Sequence, residues 1–320
     1  MSEPVELLRA EDLVVRFPAG GRRRWIVPVD HLSLTIGQGE SVGVVGESGS
    51  GKTTLGRTLV RILEPAVGHL QWQNQDVAHI RGRALRHYHA AVQMVFQDPF
   101  ASLNPARTLF DQVALPIRYH RGLSGTQQAE RVESLLEQVG LYPARDLREK
   151  YPHELSGGQR QRVAIARALA AKPRLVVADE PVSMLDVSIR AGILQLLTEL
   201  KEQLALSFVF ITHDLASARY FSARIAVMYA GRLVEMAAAA DIIRRPLHPY
   251  TRLLMAASPG SGMKGPLPET SQSSPDLTAQ RRGCPFAPRC PLVMERCREE
   301  AIDFRWLADQ HGVACLRDGE

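Results

Sequence analysis

Lys52 and Thr53 close a glycine-rich run, GESGSGKT at residues 46–53, and a cation and a hydroxyl placed behind three glycines suit phosphate chemistry. Gly46, Gly49 and Gly51 let the backbone turn tightly with its N–H groups inward, where they and a following helix N-terminus can bind phosphate oxygens. Lys52 then neutralises β- and γ-phosphate charge, and Thr53 supplies a hydroxyl to Mg2+. An acidic pair, Asp179 and Glu180 in RLVVADEP, stands where an apolar run ends. Asp179 can hold the metal through water, and Glu180 can polarise the water that attacks the γ-phosphorus in line. His213 in ITHDL and Gln97 in MVFQDPF follow other apolar runs, where an imidazole can reach the γ-phosphate and an amide can meet metal and water. Taken alone, each of these two is equally an ordinary structural polar residue. Ser156, Gly157 and Gly158 of LSGGQ open another helical stretch, Gln159 to Ala171, and form a second anion-binding N-terminus. One nucleotide does not need two such cradles. The economical arrangement is two ATPase units head to tail, the loop of one and the LSGGQ of the other enclosing each ATP.

The elements that must position these residues follow from the apolar pattern. Val42 to Val45 is a continuous apolar run before the glycine-rich turn, and Lys52 to Leu63 has helical spacing, which together predict strand, phosphate loop, helix. Short β-rich runs at Leu175–Ala178 and Phe208–Ile211 fit parallel strands covered on both faces. Leu185, Ile189, Ile193, Leu196, Leu197 and Leu200 predict a helix face that covers such a sheet. Nearer the N-terminus, Leu13 to Phe17 and His31 to Ile36 read as half-buried strands. Residues 100–165 differ, with Val132, Leu135, Leu136 and Val139 at helical spacing and Gly140 where a C-terminal cap belongs. We expect an α/β fold with an inserted helical subdomain. A Pro-, Ser- and Gly-rich stretch after residue 258 predicts a linker across 256–283 to a cysteine-bearing tail at 284–320.

Composition narrows the class less than the motifs do. Hydrophobic residues are 45% and charged residues 23% of the 320, ordinary values for a folded globular chain. No stretch approaches the roughly 18–20 consecutive apolar residues of a membrane-spanning helix. The opening MSEPVELLRAED has no basic segment followed by an apolar run, so no secretory signal is expected. The net charge of +5 is spread along the chain except for Arg22, Arg23 and Arg24, a solvated face or a contact for anionic lipid headgroups. Nucleic acid is not an expected partner.

LSGGQ, the QDP turn, the ADEP strand end, Leu185-Asp186 and the THD turn, in that order, resemble the nucleotide-binding subunits of ABC transporters over about residues 5–255. The resemblance implies a P-loop NTPase: a RecA-like core with an N-terminal antiparallel β subdomain and the helical insertion. It also implies that Gly46, Glu47, Ser48, Gly49, Ser50, Gly51, Lys52, Thr53 and Thr54 bind ATP, with Ser156, Gly157, Gly158 and Gln159 completing the opposite site. By the same resemblance Phe17 stacks on adenine, Gln97 senses the membrane partner, Asp186 couples the two sites and His213 holds the γ-phosphate. Thr53, Gln97 and Asp179 would serve Mg2+. Trp25 competes with Phe17 for the adenine, and Met184 stands in SMLD where a small residue is commoner. QDPFASLNP, YPHELSGGQRQR, HPYTRLLMAASP and GCPFAPRCP narrow the resemblance to oligopeptide and dipeptide importer ATPases, and TLGRTLVR to the second of their two paralogous subunits. Implied partners are a non-identical ATPase subunit, two permeases and a solute-binding protein, at the cytoplasmic face of the inner or plasma membrane. Nickel chelates, glutathione, opines and oligosaccharides are alternative substrates.

All four cysteines, Cys284, Cys290, Cys297 and Cys315, follow residue 283. Thiols gathered this way in a cytoplasmic chain suggest a metal or cluster more than disulfides. The wide spacing suits four-cysteine iron-sulfur ligation better than zinc, and resemblance to importer ATPases favours [4Fe-4S], with zinc or unliganded thiols as alternatives. A soluble ABC ATPase acting on DNA or ribosomes is a rival reading, set against a single compact cassette without coiled-coil insertions. A regulator that hydrolyses little is another, set against the presence of Glu180.

Overall fold

The computed structural model describes residues 5–20, 24–257, 277, 282–307 and 310–317. Arg22, Arg23 and most of the expected linker lie outside the described residues. The strands in chain order are β1 (Glu6–Pro18), β2 (Trp25–Gly37), β3 (Ser41–Val45), β4 (Val67–Trp72), β5 (Gln75–Asp76), β6 (Val92–Val95), β7 (Leu175–Asp179), β8 (Ser207–Thr212), β9 (Arg224–Tyr229), β10 (Arg232–Ala238), β11 (Arg305–Trp306) and β12 (Gly312–Val313). The chain forms two compact units, residues 1–78 with 210–320 and residues 79–209.

In the first unit, β2-β1-β4-β5 form an antiparallel sheet. The alternating stretches at 13–17 and 31–36 are only the centres of β1 and β2, which run 13 residues each. The β1–β2 register is irregular near Ala10, Leu13 and Val15, and the consecutive residues Leu13, Val14 and Val15 are all buried, so the period-two signal breaks although the strand continues. A second sheet has the order β11-β12-β10-β9-β3, with Phe210–Thr212 of β8 beside β3. β3 runs parallel to β9, from Val42 opposite Arg224 to Val45 opposite Val227, and every residue of β3 is buried. This is the continuous apolar run of a strand covered on both faces. β10 turns back against β9, and β12 of the cysteine-bearing tail pairs with β10 at Glu235 and Met236.

In the second unit, β6 and β7 pair in parallel from Val92 opposite Leu175 to Val95 opposite Ala178. Helices dominate the rest. The helix Gly125–Gln138 buries Val132, Leu135 and Leu136 completely and ends at Gly140, which has φ +73°. Gly140 N–H donates to Glu137 O and Leu141 N–H to Leu136 O, the paired bonds of a left-handed C-terminal cap. The helix Val187–Gln203 buries Ile193, Leu194, Leu196, Leu197 and Leu200, the face that the leucine spacing predicts. No helix among the described residues is long and apolar enough to cross a membrane.

Candidate nucleotide site

The glycine-rich loop lies in the first unit, between fully buried β3 and the helix Lys52–Leu59, which is one turn shorter than its apolar spacing suggests. Gly51 precedes that helix with φ +103°, and a Cβ there would lie 1.8 Å from Pro28 O on β2. A Cβ on Gly46 would lie 2.2 Å from Met228 O on β9. Glycine is therefore enforced at both positions by strands packed against the loop as well as by the turn. Gly231 N–H donates to Ser50 O at 2.9 Å and holds the loop from the β9–β10 turn. The helix carries no side-chain cap, so its first-turn N–H groups and the positive end of its dipole suit an anion. Lys52, only 5% exposed, donates from Nζ to Gly46 O at 2.7 Å and Glu47 O at 2.8 Å, which places the ammonium inside the curve of the loop. Such a loop can take a phosphate without building a new donor set. Ser48 and Gly49 are exposed, and Thr53 and Thr54 half-buried, at its mouth.

Phe17 and Trp25, 38% and 42% exposed, sit at the same end of the β1–β2 pair, Trp25 opposite Pro18 and Phe17 opposite Ile26. The Arg16 guanidinium lies 4.8 Å from the Trp25 ring centre and covers one of its faces. His213, also in the first unit, is exposed just after β8. Its neighbour Asp214 caps the helix Leu215–Phe221 by accepting from Ala216 N–H and Ser217 N–H, both at 3.1 Å. Asp98 does the same after β6, accepting from Phe100 N–H at 2.7 Å and Ala101 N–H at 3.1 Å. Gln97 and His213 are thus each fixed between a buried strand end and a helix cap. Sequence reasoning passed over both aspartates, though an Asp one residue before a proline or a helical run is a readable cap signal.

In the second unit, Gln97 Nε2 donates to Glu180 Oε2 at 3.2 Å, which brings two of the expected catalytic residues together. Asp179 is 2% exposed at the end of β7, and Glu180 follows with φ +45°. A non-glycine residue held there costs about 1–3 kcal/mol, so the turn is stabilised by its surroundings. Ser183 contributes, donating from N–H and Oγ to Glu180 O at 3.2 and 3.0 Å. Ser156 caps the helix Gly157–Leu169: its Oγ accepts from Gln159 N–H at 3.3 Å, and Gln159 Oε1 accepts from Ser156 N–H at 3.0 Å. Gly158 faces Ile189, where a Cβ would come within 2.7 Å of Cγ2. Asp186 is exposed at the start of the helix Val187–Gln203 and makes no capping bond, so its carboxylate is not engaged by its own helix.

Among the described residues, no group of three or more His, Cys, Asp or Glu side chains is arranged to hold a metal ion. Cys284, Cys290, Cys297 and Cys315 nevertheless line one small, largely apolar cavity together with His248, Leu292 and Ile302. None of the four is in a disulfide. Burial pushes the Cys284 thiol up to about 11 and also raises Cys290. His248, almost wholly buried, accepts from Tyr250 N–H at Nδ1, so its Nε2 carries the proton and faces Cys284 Sγ at 4.0 Å. Sequence reasoning missed this histidine, although it stands in the HPY it noted. A larger cleft of about 770 Å³ beside β1 and β2 is lined by residues that include two ion pairs, His31 with Asp12 and Arg232 with Asp30.

Residues 29–183 match the family described as ABC transporter, and residues 234–297 match the oligopeptide/dipeptide transporter C-terminal region. The oligopeptide transport ATP-binding protein AppF of Bacillus subtilis (strain 168) is 42% identical over 292 residues, which cover 90% of this chain and 88% of the relative. The probable peptide ABC transporter ATP-binding protein y4tS of Sinorhizobium fredii is 42% identical over 319 residues, 97% and 89% of the two chains. Among solved structures, the dimeric post-hydrolysis state of the ATP-binding cassette MJ0796 bound to ADP and Pi superposes with a TM-score of 0.66 at 30% identity, over 73% of this chain and 99% of that one. A P-loop cassette of this kind and relatives of that identity along nearly the whole length carry one conclusion: the chain belongs to the ABC transporter ATP-binding family, as an ATPase bearing the oligopeptide/dipeptide transporter C-terminal region.

Proposed function

We propose that this chain is the ATP-hydrolysing subunit of an importer for di- and oligopeptides, coupling ATP-driven closure of an ATPase dimer to a change in the permeases. The observation that carries the reading is the 42% identity to peptide-transport ATP-binding proteins, which extends through the C-terminal region. Its partners are then a paralogous second ATPase subunit, two permease subunits and an extracytoplasmic solute-binding protein, with this chain peripheral at the cytoplasmic membrane face. The ATPase cassette occupies residues 5–255, with its helical subdomain at about 100–165 and a linker at 256–283 before the tail.

ATP and Mg2+ are the cofactors that this family implies. Residues 46–54 hold the β- and γ-phosphates, and Phe17 takes the adenine, its rival Trp25 having one ring face covered by Arg16. Thr53, Gln97 and Asp179 serve Mg2+, which neutralises the phosphate charge during transfer. Glu180, aligned by Gln97, holds the attacking water and takes its proton. His213 contacts the γ-phosphate. Ser156, Gly157, Gly158 and Gln159 cap the nucleotide of the partner, and Asp186 couples the two sites.

Of a [4Fe-4S] cluster and zinc, the cluster is the reading we favour, on the resemblance to importer ATPases. Four thiols line one small cavity, and four thiols are a donor set that a cluster uses. Cys284, Cys290, Cys297 and Cys315 would be its ligands, and the cluster would lock the tail covalently. Anaerobic purification with iron and sulfide analysis tests this: a colourless protein lacking both after reconstitution rejects it.

The transport reading is tested by co-purifying the complex and measuring ATP-dependent uptake in proteoliposomes supplied with the solute-binding protein. Uptake of di- and oligopeptides is expected. Uptake of nickel, glutathione, an opine or an oligosaccharide in its place overturns the substrate, and failure of any permease to co-purify overturns the transporter role.

A further inference from the structure

Glu47, between Gly46 and Gly49 of the phosphate loop, is held by the cysteine-bearing tail. Arg289, one residue before Cys290, places Nη1 2.7 Å from Glu47 Oε2 and Nη2 3.0 Å from Glu47 Oε1, a two-pronged ion pair across 242 positions of sequence. The arginine side chain is 11% exposed and the glutamate 30%. Arg289 Nε is buried without an acceptor, so Glu47, helped by the Tyr229 hydroxyl at 3.4 Å, sets the orientation of the guanidinium. A bidentate, partly desolvated pair of this kind fixes direction as well as charge.

A second hold acts on the same residue. Glu47 N–H donates to the hydroxyl of Tyr250 at 2.8 Å, and Tyr250 is wholly buried. Its ring packs edge-on to Tyr229, 4.6 Å between centres, and lies 5.4 Å from Phe286. Phe286 in turn meets Tyr229 at 5.3 Å. Tyr250 and Phe286 each lie two residues from a group that lines the cysteine cavity, His248 and Cys284 respectively. The loop thus receives its side-chain and backbone anchors at Glu47 from the segments that also wall that cavity.

We propose that Arg289 and Tyr250 are positioning residues of the ATPase, which hold the phosphate loop at Glu47 and make the tail a brace of the nucleotide site. Neither touches the reacting atoms. A loop held before the nucleotide arrives loses less freedom on binding, so the brace acts on ATP affinity and leaves the chemical step largely alone. The proposal rests on ATP hydrolysis and is independent of the substrate and of what the cysteines hold.

The test measures KM for ATP and kcat in the full complex, with the hydrolytic site of the second ATPase disabled. Arg289→Ala and Glu47→Gln are each expected to raise KM about tenfold, the size of one charged hydrogen-bond pair, and Arg289→Ala, outside the loop, keeps kcat within about twofold. The double variant is expected to be no worse than either single one, because both remove the same contact. Arg289→Lys restores part of the loss, and the exchanged pair Glu47→Arg with Arg289→Glu restores more than either half alone. Tyr250→Phe, which keeps the ring and removes the hydroxyl, raises KM by a smaller factor. An unchanged KM in folded Glu47→Gln overturns the proposal. So do multiplicative losses in the double variant, or a lowered melting temperature at constant KM. Should Arg289→Ala fail to fold, Glu47→Gln and the exchanged pair decide the matter.

Discussion

Gly158 of the LSGGQ segment offers a prediction in which packing and chemistry can be separated. Its backbone is not in the left-handed region, so alanine suits its conformation, but the added Cβ would stand 2.7 Å from Ile189 Cγ2. Overpacking of this kind costs about 1–3 kcal/mol, against about 0.5–1 kcal/mol that alanine regains over glycine in a helix. Gly158→Ala is therefore expected to destabilise by about 1–2 kcal/mol, or about 2–8 °C in melting temperature for domains of this size. Ile189→Ala removes the atom in the way. In that background Gly158→Ala should stabilise by about 0.5–1 kcal/mol, a coupling of about 1–3 kcal/mol in a double-mutant cycle read by thermal and urea unfolding. ATP turnover of the double variant then shows whether the space at 158 also serves the nucleotide of the partner. An equal cost of Gly158→Ala with and without Ile189 refutes the packing argument.

Other outcomes are as definite. Lys52→Ala removes the ammonium held inside the loop and is expected to abolish ATP binding measured with a fluorescent nucleotide, while leaving the melting temperature within a few degrees. Gly51→Ala forces a Cβ against Pro28 O and should also lose ATP binding, and no side-chain shift can relieve a clash with backbone. Asp98→Ala removes a helix cap beside Gln97 at a cost of about 1 kcal/mol and should lower turnover, while Asp98→Asn keeps most of both. Phe17→Ala should raise KM for ATP several-fold, and Trp25→Ala should raise it less; the reverse order reassigns the adenine contact.

How far the fold was readable depended on whether the signal was local. Val42–Val45, the glycine run and the buried leucines after 185 are contiguous or periodic, and each forms the predicted element. β1 and β2 run well beyond their alternating centres because irregular register between them breaks the pattern. The nucleotide loop could be named from its residue types, since backbone donors, a lysine and a hydroxyl belong to one short segment. Its supports could not. Pro28, Met228, Tyr250 and Arg289 reach the loop from distant positions, and no spacing rule joins them to Gly51, Gly46 or Glu47. The cysteines were conspicuous by clustering alone, whereas His248 stands against Cys284 only because the tail folds back on the helix Pro249–Ala257.

The central claim is ATP hydrolysis driven from this chain, and Glu180 tests it most directly. Glu180→Gln keeps shape and removes the proton acceptor, and Gln97 retains a partner for its amide. The measurement is steady-state ATP hydrolysis by the reconstituted complex in which the other ATPase subunit is disabled. ATP binding is expected to persist, turnover to fall to a trace and the closed ATPase dimer to accumulate. Undiminished hydrolysis by that complex would contradict the account.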